Sequence, residues 1–196
     1  MTQSANLAAL GSNATSSGTL GASSYASATI PNSALSGNPT FRNRIINGAM
    51  TIDQRNAGAS VTPTTDNTYT LDRWTARLSQ SSKYSVQQSS TAPTGFRNSL
   101  LITSLSSYTV GASENFFVKQ VIEGFNVADL MWGTANAQTV TLSFQVRSSL
   151  TGTFGGSLWN SDGTRSCPFT YTISSANTYE TKTVTIAGDT SGRSEE

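Results

Sequence analysis

From residue 139 the chain reads TVTLSFQVR, in which Val140, Leu142, Phe144 and Val146 alternate with Thr141, Ser143, Gln145 and Arg147. A period of two places the apolar set on one face and the polar set on the other, as in a half-buried strand of an antiparallel sheet. The same reading predicts strands in KYSVQQ (83–88), NSLLITSLS (98–106), NFFVKQVIE (115–123), GTFGGSLW (152–159), PFTYTIS (168–174) and YETKTVTIA (179–187), separated by Gly, Asn, Ser and Asp turns. In YTLDRWTARL (69–78), Tyr69 and Leu71 share one face while Trp74, Ala76 and Leu78 follow the other register. The phase slip across Asp72-Arg73 predicts a bulge. Asn47-Gly48 lies between short apolar runs, the strongest local signal for a hairpin. Only FNVADLMW (125–132) suits a short helix, with Asn126 as its N-cap. Eight or nine short strands broken by turns predict an all-β protein, an antiparallel β-sandwich of jelly-roll type.

The first forty residues follow no such pattern. Residues 2–41 carry no charge, and Gly11, Gly18, Gly21, Pro31, Gly37 and Pro39 punctuate runs of Ser, Thr and Ala. Apolar residues recur singly, at Leu10, Leu20, Tyr25, Ile30, Leu35 and Phe41. A gap of five suits neither a helix stripe nor one face of a strand. It does suit an extended arm that lays occasional pegs into a neighbour's surface, and forty extended residues would reach roughly 130 Å at ~3.3 Å each. The same text also reads as a flexible linker. As a docking arm it would lose roughly 1–2 kcal/mol of backbone entropy per residue, which many contacts in an assembly must offset. Both readings make the chain part of something larger. They divide it into an extended arm, 1–41, and a β-sandwich, 42–196.

Composition narrows the chemistry. A chain of 196 residues suits one sandwich-sized domain plus an extension. Charged residues make up 12% and the net charge is +1. That is about half the usual charged share, with no Lys/Arg cluster to meet nucleic acid or an anionic membrane. The absence of His removes Ser-His-Asp and Cys-His nucleophiles and every His-containing metal site. The single cysteine, Cys167, forms no internal disulfide and is expected as a small buried apolar residue beside Pro168. MTQSANLAALGSN lacks the basic and apolar regions of a secretory signal, and no run approaches the ~20 apolar residues of a membrane span. Synthesis in the cytoplasm, release by lysis and no cofactor are the expectations.

Several long motifs fall in a recognisable order: NRIINGAMTIDQRNAGASVT, LDRW, SVQQSSTAPTGFRNSLLITS, the run from QVIEGFNVADLMW to SCPFTYTIS, and VTIAGDTSG. Over about 43–192 this text resembles phage tail-fibre-like proteins of tailed bacteriophages and prophages, notably cyanophages. The resemblance implies a carbohydrate-binding jelly roll on a variable N-terminal anchor, a virion location, and attachment in place of catalysis. By analogy with phage fibres it implies a homo-oligomer, with a trimer as the default. Family members run on past the GDTSG-like stretch into their last sandwich strands, whereas here the sequence ends SGRSEE. The sandwich is therefore expected to be smaller, or completed by another subunit, or capped at its edges by neighbours.

Six aromatics are candidates for stacking on sugar rings: Trp74, Trp132, Trp159, Tyr84, Tyr108 and Tyr171. The best cluster is Trp159-Asn160-Ser161-Asp162-Gly163-Thr164-Arg165, a polar turn flanked by Trp and Arg, with Trp159, Asn160, Asp162 and Arg165 as glycan contacts. The same text is also an ordinary hairpin turn with a Trp at its edge. Trp74 and Trp132 lie in apolar-patterned segments and are expected in the core. A glycosidase would need two carboxylates held ~5–9.5 Å apart, and no motif pairs any two of Asp53, Asp66, Asp72, Asp129, Asp162, Asp189, Glu114, Glu123 and Glu180. Asp162-Gly163 lacks an EF-hand continuation, and no Gly-rich stretch joins a strand to a helix as a phosphate loop does. The expectation is a non-enzymatic virion structural protein, a tail-fibre or adhesin subunit. Its partners would be other virion proteins, tail or capsid, and host surface polysaccharide. A capsid decoration or cement protein, its arm laced across capsid subunits, is the alternative, and a polysaccharide depolymerase stands third.

Overall fold

The computed structural model describes residues 43–191. The expected arm contacts Leu10, Leu20, Tyr25, Ile30, Leu35 and Phe41 lie outside these residues. Nine strands follow in order: β1 (Thr68–Leu71), β2 (Trp74–Leu78), β3 (Tyr84–Ser89), β4 (Ser99–Ser104), β5 (Phe116–Gln120), β6 (Val140–Val146), β7 (Gly152–Trp159), β8 (Ser166–Ile173) and β9 (Glu180–Ile186). Their pairing is antiparallel throughout, in a three-stranded sheet β1-β2-β5 and in the pairs β3-β4, β6-β9 and β7-β8. The protein is all-β, as its pattern predicts, and its layers are those of an antiparallel sandwich.

Alternation builds each layer. In β2 and β5 the register pairs Ala76 with Val118 and Leu78 with Phe116, so these residues share a face. That face meets β3, where Leu71, Ala76, Tyr84, Val86 and Met50 form the buried cluster, ringed by Trp74, Leu78, Leu100, Phe116 and Val118. β6 keeps Val140, Leu142, Phe144 and Val146 half-buried and the residues between them exposed. Its Phe144 meets Tyr171 of β8 edge-on at 5.0 Å between centroids, and Phe154 of β7 stacks on the same ring at 6.0 Å. In chain order the β7-β8 hairpin is nested between β6 and β9, which pair directly with each other. Within it Gly156 faces Phe169, whose ring lies where a Cβ would sit, 2.5 Å away.

Four local expectations need correction. Residues 69–78 are two strands, because Asp72-Arg73 is a tight turn with Arg73 at φ +75° and Leu71 paired with Trp74. The bulge lies earlier, between Tyr69 and Leu71. It turns Thr70 and Leu71 both inward, at 0% exposure, and leaves Tyr69 half-exposed, so Tyr69 and Leu71 do not share a face. Asn47-Gly48 is a turn without flanking strands. There the Asn47 amide bonds both backbone groups of Ile52 (2.8 and 3.0 Å) and the Asp72 carbonyl (3.0 Å). Gln120 serves Ile46 as a substitute strand, accepting its N–H at 2.8 Å and donating to its carbonyl at 2.7 Å. Side-chain amides thus take the place of a ladder.

The expected helix at 125–132 is two 3-10 turns, Gly124–Asn126 and Ala128–Leu130, whose N-caps are Glu123 and Val127, not Asn126. Arg44 explains the break: it donates to the Asn126 carbonyl and forks onto both oxygens of Asp129 at 2.7 and 2.6 Å. An α-helix would need that carbonyl for Leu130, whose N–H goes to Val127 instead, at 2.9 Å. Cys167 is exposed, contrary to expectation. The outer half of the β7-β8 hairpin overhangs the layers, so Ser166, Cys167 and Pro168 are all exposed while Ile173, at the inner end, is 1% exposed.

Two outcomes follow from this packing. Leu71→Ala, at a fully buried site, lowers the unfolding free energy by about 2–5 kcal/mol, read from the denaturant midpoint. Tyr84 reaches across from β3 to the carbonyls of Arg77 (2.8 Å) and Phe117 (3.1 Å), and burial pushes its phenol up to about 12. A raised folded pKa favours the native state fully below the free phenol value near 10 and is lost as pH rises from there through about 12. Thermal midpoints therefore fall in that alkaline window, and Tyr84→Phe removes this contribution.

Candidate functional site

The four sequence-picked residues come together at the tip of the β7-β8 hairpin, which reverses through Asn160–Arg165. Gly163, at φ +72°, supplies a left-handed position, and its N–H bonds the Asn160 carbonyl at 3.1 Å. Asn160 closes the turn twice more: its Oδ1 accepts the Arg165 N–H at 2.9 Å and its Nδ2 reaches Thr164 at 3.1 Å. Asp162 Oδ1 accepts the Thr164 N–H at 3.1 Å and its hydroxyl at 2.8 Å. Arg165 pairs with Asp189 through Nε at 2.8 Å and reaches the Ser191 hydroxyl at 3.1 Å. The polar groups expected to meet a glycan are therefore already engaged in shaping the turn.

Trp159 is different. The residue is 54% exposed at the base of that turn, and its ring meets Phe117 of β5 edge-to-face at 5.1 Å. The arrangement is a half-exposed Trp packed edge-to-face with Phe117, on a hairpin whose tip is cross-braced by side chains. An aromatic platform on a rigid support can stack on an apolar ring face without ordering cost. Phe117, Asp189 and Ser191 touch these residues too; from sequence, Asp189 is named only among the carboxylates and the other two not at all. Phe117 had a usable signal, since it follows Phe116 on one strand and the two must face opposite ways.

The other aromatic candidates are structural. Trp74 packs on the buried cluster and donates to the Asn47 carbonyl at 3.3 Å. Trp132 is half-buried and donates to Gln138 at 2.7 Å. Tyr108 is held by Glu114 at 2.6 Å, by Phe116 edge-on at 5.8 Å and by Lys83 over its ring at 4.3 Å. Tyr84 and Tyr171 sit within the layers already described.

The nine carboxylates of the described residues all have structural partners. Asp129 meets Arg44, Glu123 meets Arg73, Asp66 meets Arg77, Asp189 meets Arg165 and Glu180 meets Lys182. Asp53 accepts the N–H groups of Asn56 and Gly58, Asp72 that of Gln54, and Glu114 that of Gly111. Hydrogen bonds hold several below the usual carboxylate range: Glu114 through Tyr108, Glu123 through its own backbone N–H and Arg73, Asp162 and Asp189 through backbone N–H groups of Thr164 and Ser191, and Glu180 through Lys182. A general acid needs the opposite shift. Among the described residues no group of three or more His, Cys, Asp or Glu is placed to hold a metal ion, and no helix is long and apolar enough to cross a membrane.

No protein-family model matches the chain, and searches of curated proteins and of solved structures find no match.

A pH titration checks the carboxylate geometry. Lowered folded pKa values mean that the unfolded chain takes up protons first as pH falls, so stability present at neutral pH is lost below about pH 4.5. Thermal midpoints measured from pH 7 to pH 3 decline monotonically through that window; a flat or rising curve contradicts the assignments.

Proposed function

We infer that this chain is a non-enzymatic structural protein of a phage virion, a tail-fibre or adhesin subunit that meets host surface glycans through its β-sandwich and joins its particle through residues 1–41. The observation that carries this reading is the half-exposed Trp159 on the braced β7-β8 hairpin. A sugar ring would lie on its free side, with the exposed rim of Asn160–Arg165 available for water-mediated contacts. The resemblance of 43–192 to tail-fibre-like proteins supports the same assignment, as does a surface with few charges. The partners of the carboxylates support a binding role over hydrolysis, since each is already tied to an arginine, a lysine, a tyrosine or a turn. Assembly as a homo-oligomer, a trimer by analogy with phage fibres, belongs to this reading.

A second reading, capsid decoration, is favoured by a different observation. Large apolar side chains stand far out of the body, with Phe125 90%, Leu150 69% and Val121 64% exposed. Side chains in such positions suit a body lodged among neighbours.

Two measurements decide between these readings. Gold-labelled antibody on whole particles marks the tail in a few to some tens of copies for a fibre; label on the head in hundreds of copies replaces the fibre reading with the cement reading. Trp159→Ala weakens binding to host surface polysaccharide by about 1–2 kcal/mol, roughly five- to thirtyfold, while leaving the fold intact by circular dichroism. Unchanged binding removes Trp159 from the contact.

A further inference from the structure

β4 bonds to β3 alone, so one side of it is an open edge among the described residues. The register shows which groups face outward. The Leu105 N–H bonds the Lys83 carbonyl at 3.0 Å, so the residues in phase with it, Thr103 and Leu101, also turn to β3. Leu100, Ile102 and Ser104 therefore direct their N–H and C=O groups to the open side. Val86, opposite Ile102, agrees: its N–H goes away from β4 to Val61, at 2.9 Å.

Edges like this are normally blunted by a charge, a proline or a bulge. β4 has none. The ladder with β3 runs from Ser99 to Ser104 without a slip, and no charged residue or proline occurs between Arg97 and Glu114. Its apolar side chains are out on both faces: Leu101 is 42% and Ile102 51% exposed, and adjacent residues on a strand point opposite ways. A partner strand for this edge must carry apolar groups on both of its own faces and no charge.

The leader has that pattern. Leu20, Tyr25, Ile30 and Leu35 are five residues apart, and in an extended chain an odd spacing sends successive side chains to opposite faces. The leader carries no charge from residue 2 to residue 41. From Leu10 to Phe41 it would extend roughly 100 Å, about five times the ~20 Å of a six-residue strand such as β4. One body's edge takes up only a fraction of its pegs, so its natural use is donation from copy to copy. We propose that the Leu20–Leu35 segment of one copy adds as a strand to the β4 edge of a second copy, with Leu100, Ile102 and Ser104 bonding its backbone. This rests on the assembly reading above and names its contact surface.

The test uses the full purified chain, so its outcome is independent of where the protein lies on a particle. Hydrogen exchange and light scattering are followed over a concentration series for the wild type, for Tyr25→Ser/Ile30→Ser/Leu35→Ser and for Ile102→Lys. The wild type forms oligomers, and the amides of Leu100, Ile102 and Ser104 slow by about a hundredfold as it does so. Both variants stay monomeric and lose that slowing, while the Val86 amide, bonded to Val61 inside the body, stays protected as a control for folding. Fast exchange at the three amides in the wild-type oligomer overturns the proposal. Protection that survives the leader variant overturns it in favour of two β4 edges pairing with each other. Protection that does not vary with concentration overturns it in favour of each chain's own leader.

Discussion

Phe116 and Phe117 stand side by side on β5, and a strand sends adjacent side chains to opposite faces. Phe116 turns to the buried cluster, where Tyr84 and Tyr108 meet it edge-on at 6.4 and 5.8 Å. Phe117 turns the other way and meets Trp159. One dipeptide thus pins two layers, the β1-β2-β5 sheet with its core and the β7-β8 hairpin that projects beyond it. Among the described residues the buried cluster has five members, Met50, Leu71, Ala76, Tyr84 and Val86, so such aromatic cross-contacts are a large part of what fixes the layers.

Scarce charge shapes the rest. With a charged share of 12%, this chain ties its loops with amides and short ion pairs. Gln120 stands in for a strand beside Ile46, Asn47 ties residue 52 to the β1-β2 turn, and Arg44 clips the start of the body to Asp129. Exposed pairs of this kind contribute little individually, but each fixes a loop geometry that no ladder provides. At the hairpin tip the same economy has a functional consequence. Asn160, Asp162 and Arg165 hold the turn, and Trp159 beside them is left half-exposed, the surface the proposed function assigns to a glycan.

Much of the sheet was legible as text. β7 begins and ends where GTFGGSLW does, and the alternation in TVTLSFQVR gives the inward face of β6 and its limits to within one residue at each end. What stayed hidden were places where a distant side chain overrides a local preference. Asn47-Gly48 carries a hairpin signal, yet Gln120 and Asp72 bond its loop from far along the chain. FNVADLMW carries a helical signal, yet Arg44 takes the carbonyl that an α-helix requires. Asp72-Arg73 looked like a bulge because a two-residue turn and a bulge produce the same phase slip. Cys167 looked buried because residue type says nothing of a hairpin's overhang. At the tip, the sequence grouped four residues that one hairpin turn brings together, while their engagement with one another and the contact of Trp159 with Phe117 required the fold.

The account turns on that last contact, since it both joins the layers and presents the indole. A double-mutant cycle of Phe117→Ala and Trp159→Ala on the free energy of unfolding tests it most directly. A coupling of about 0.5–1.5 kcal/mol is the predicted result. Additive losses, with a coupling below about 0.3 kcal/mol, would mean that the hairpin is held by something else.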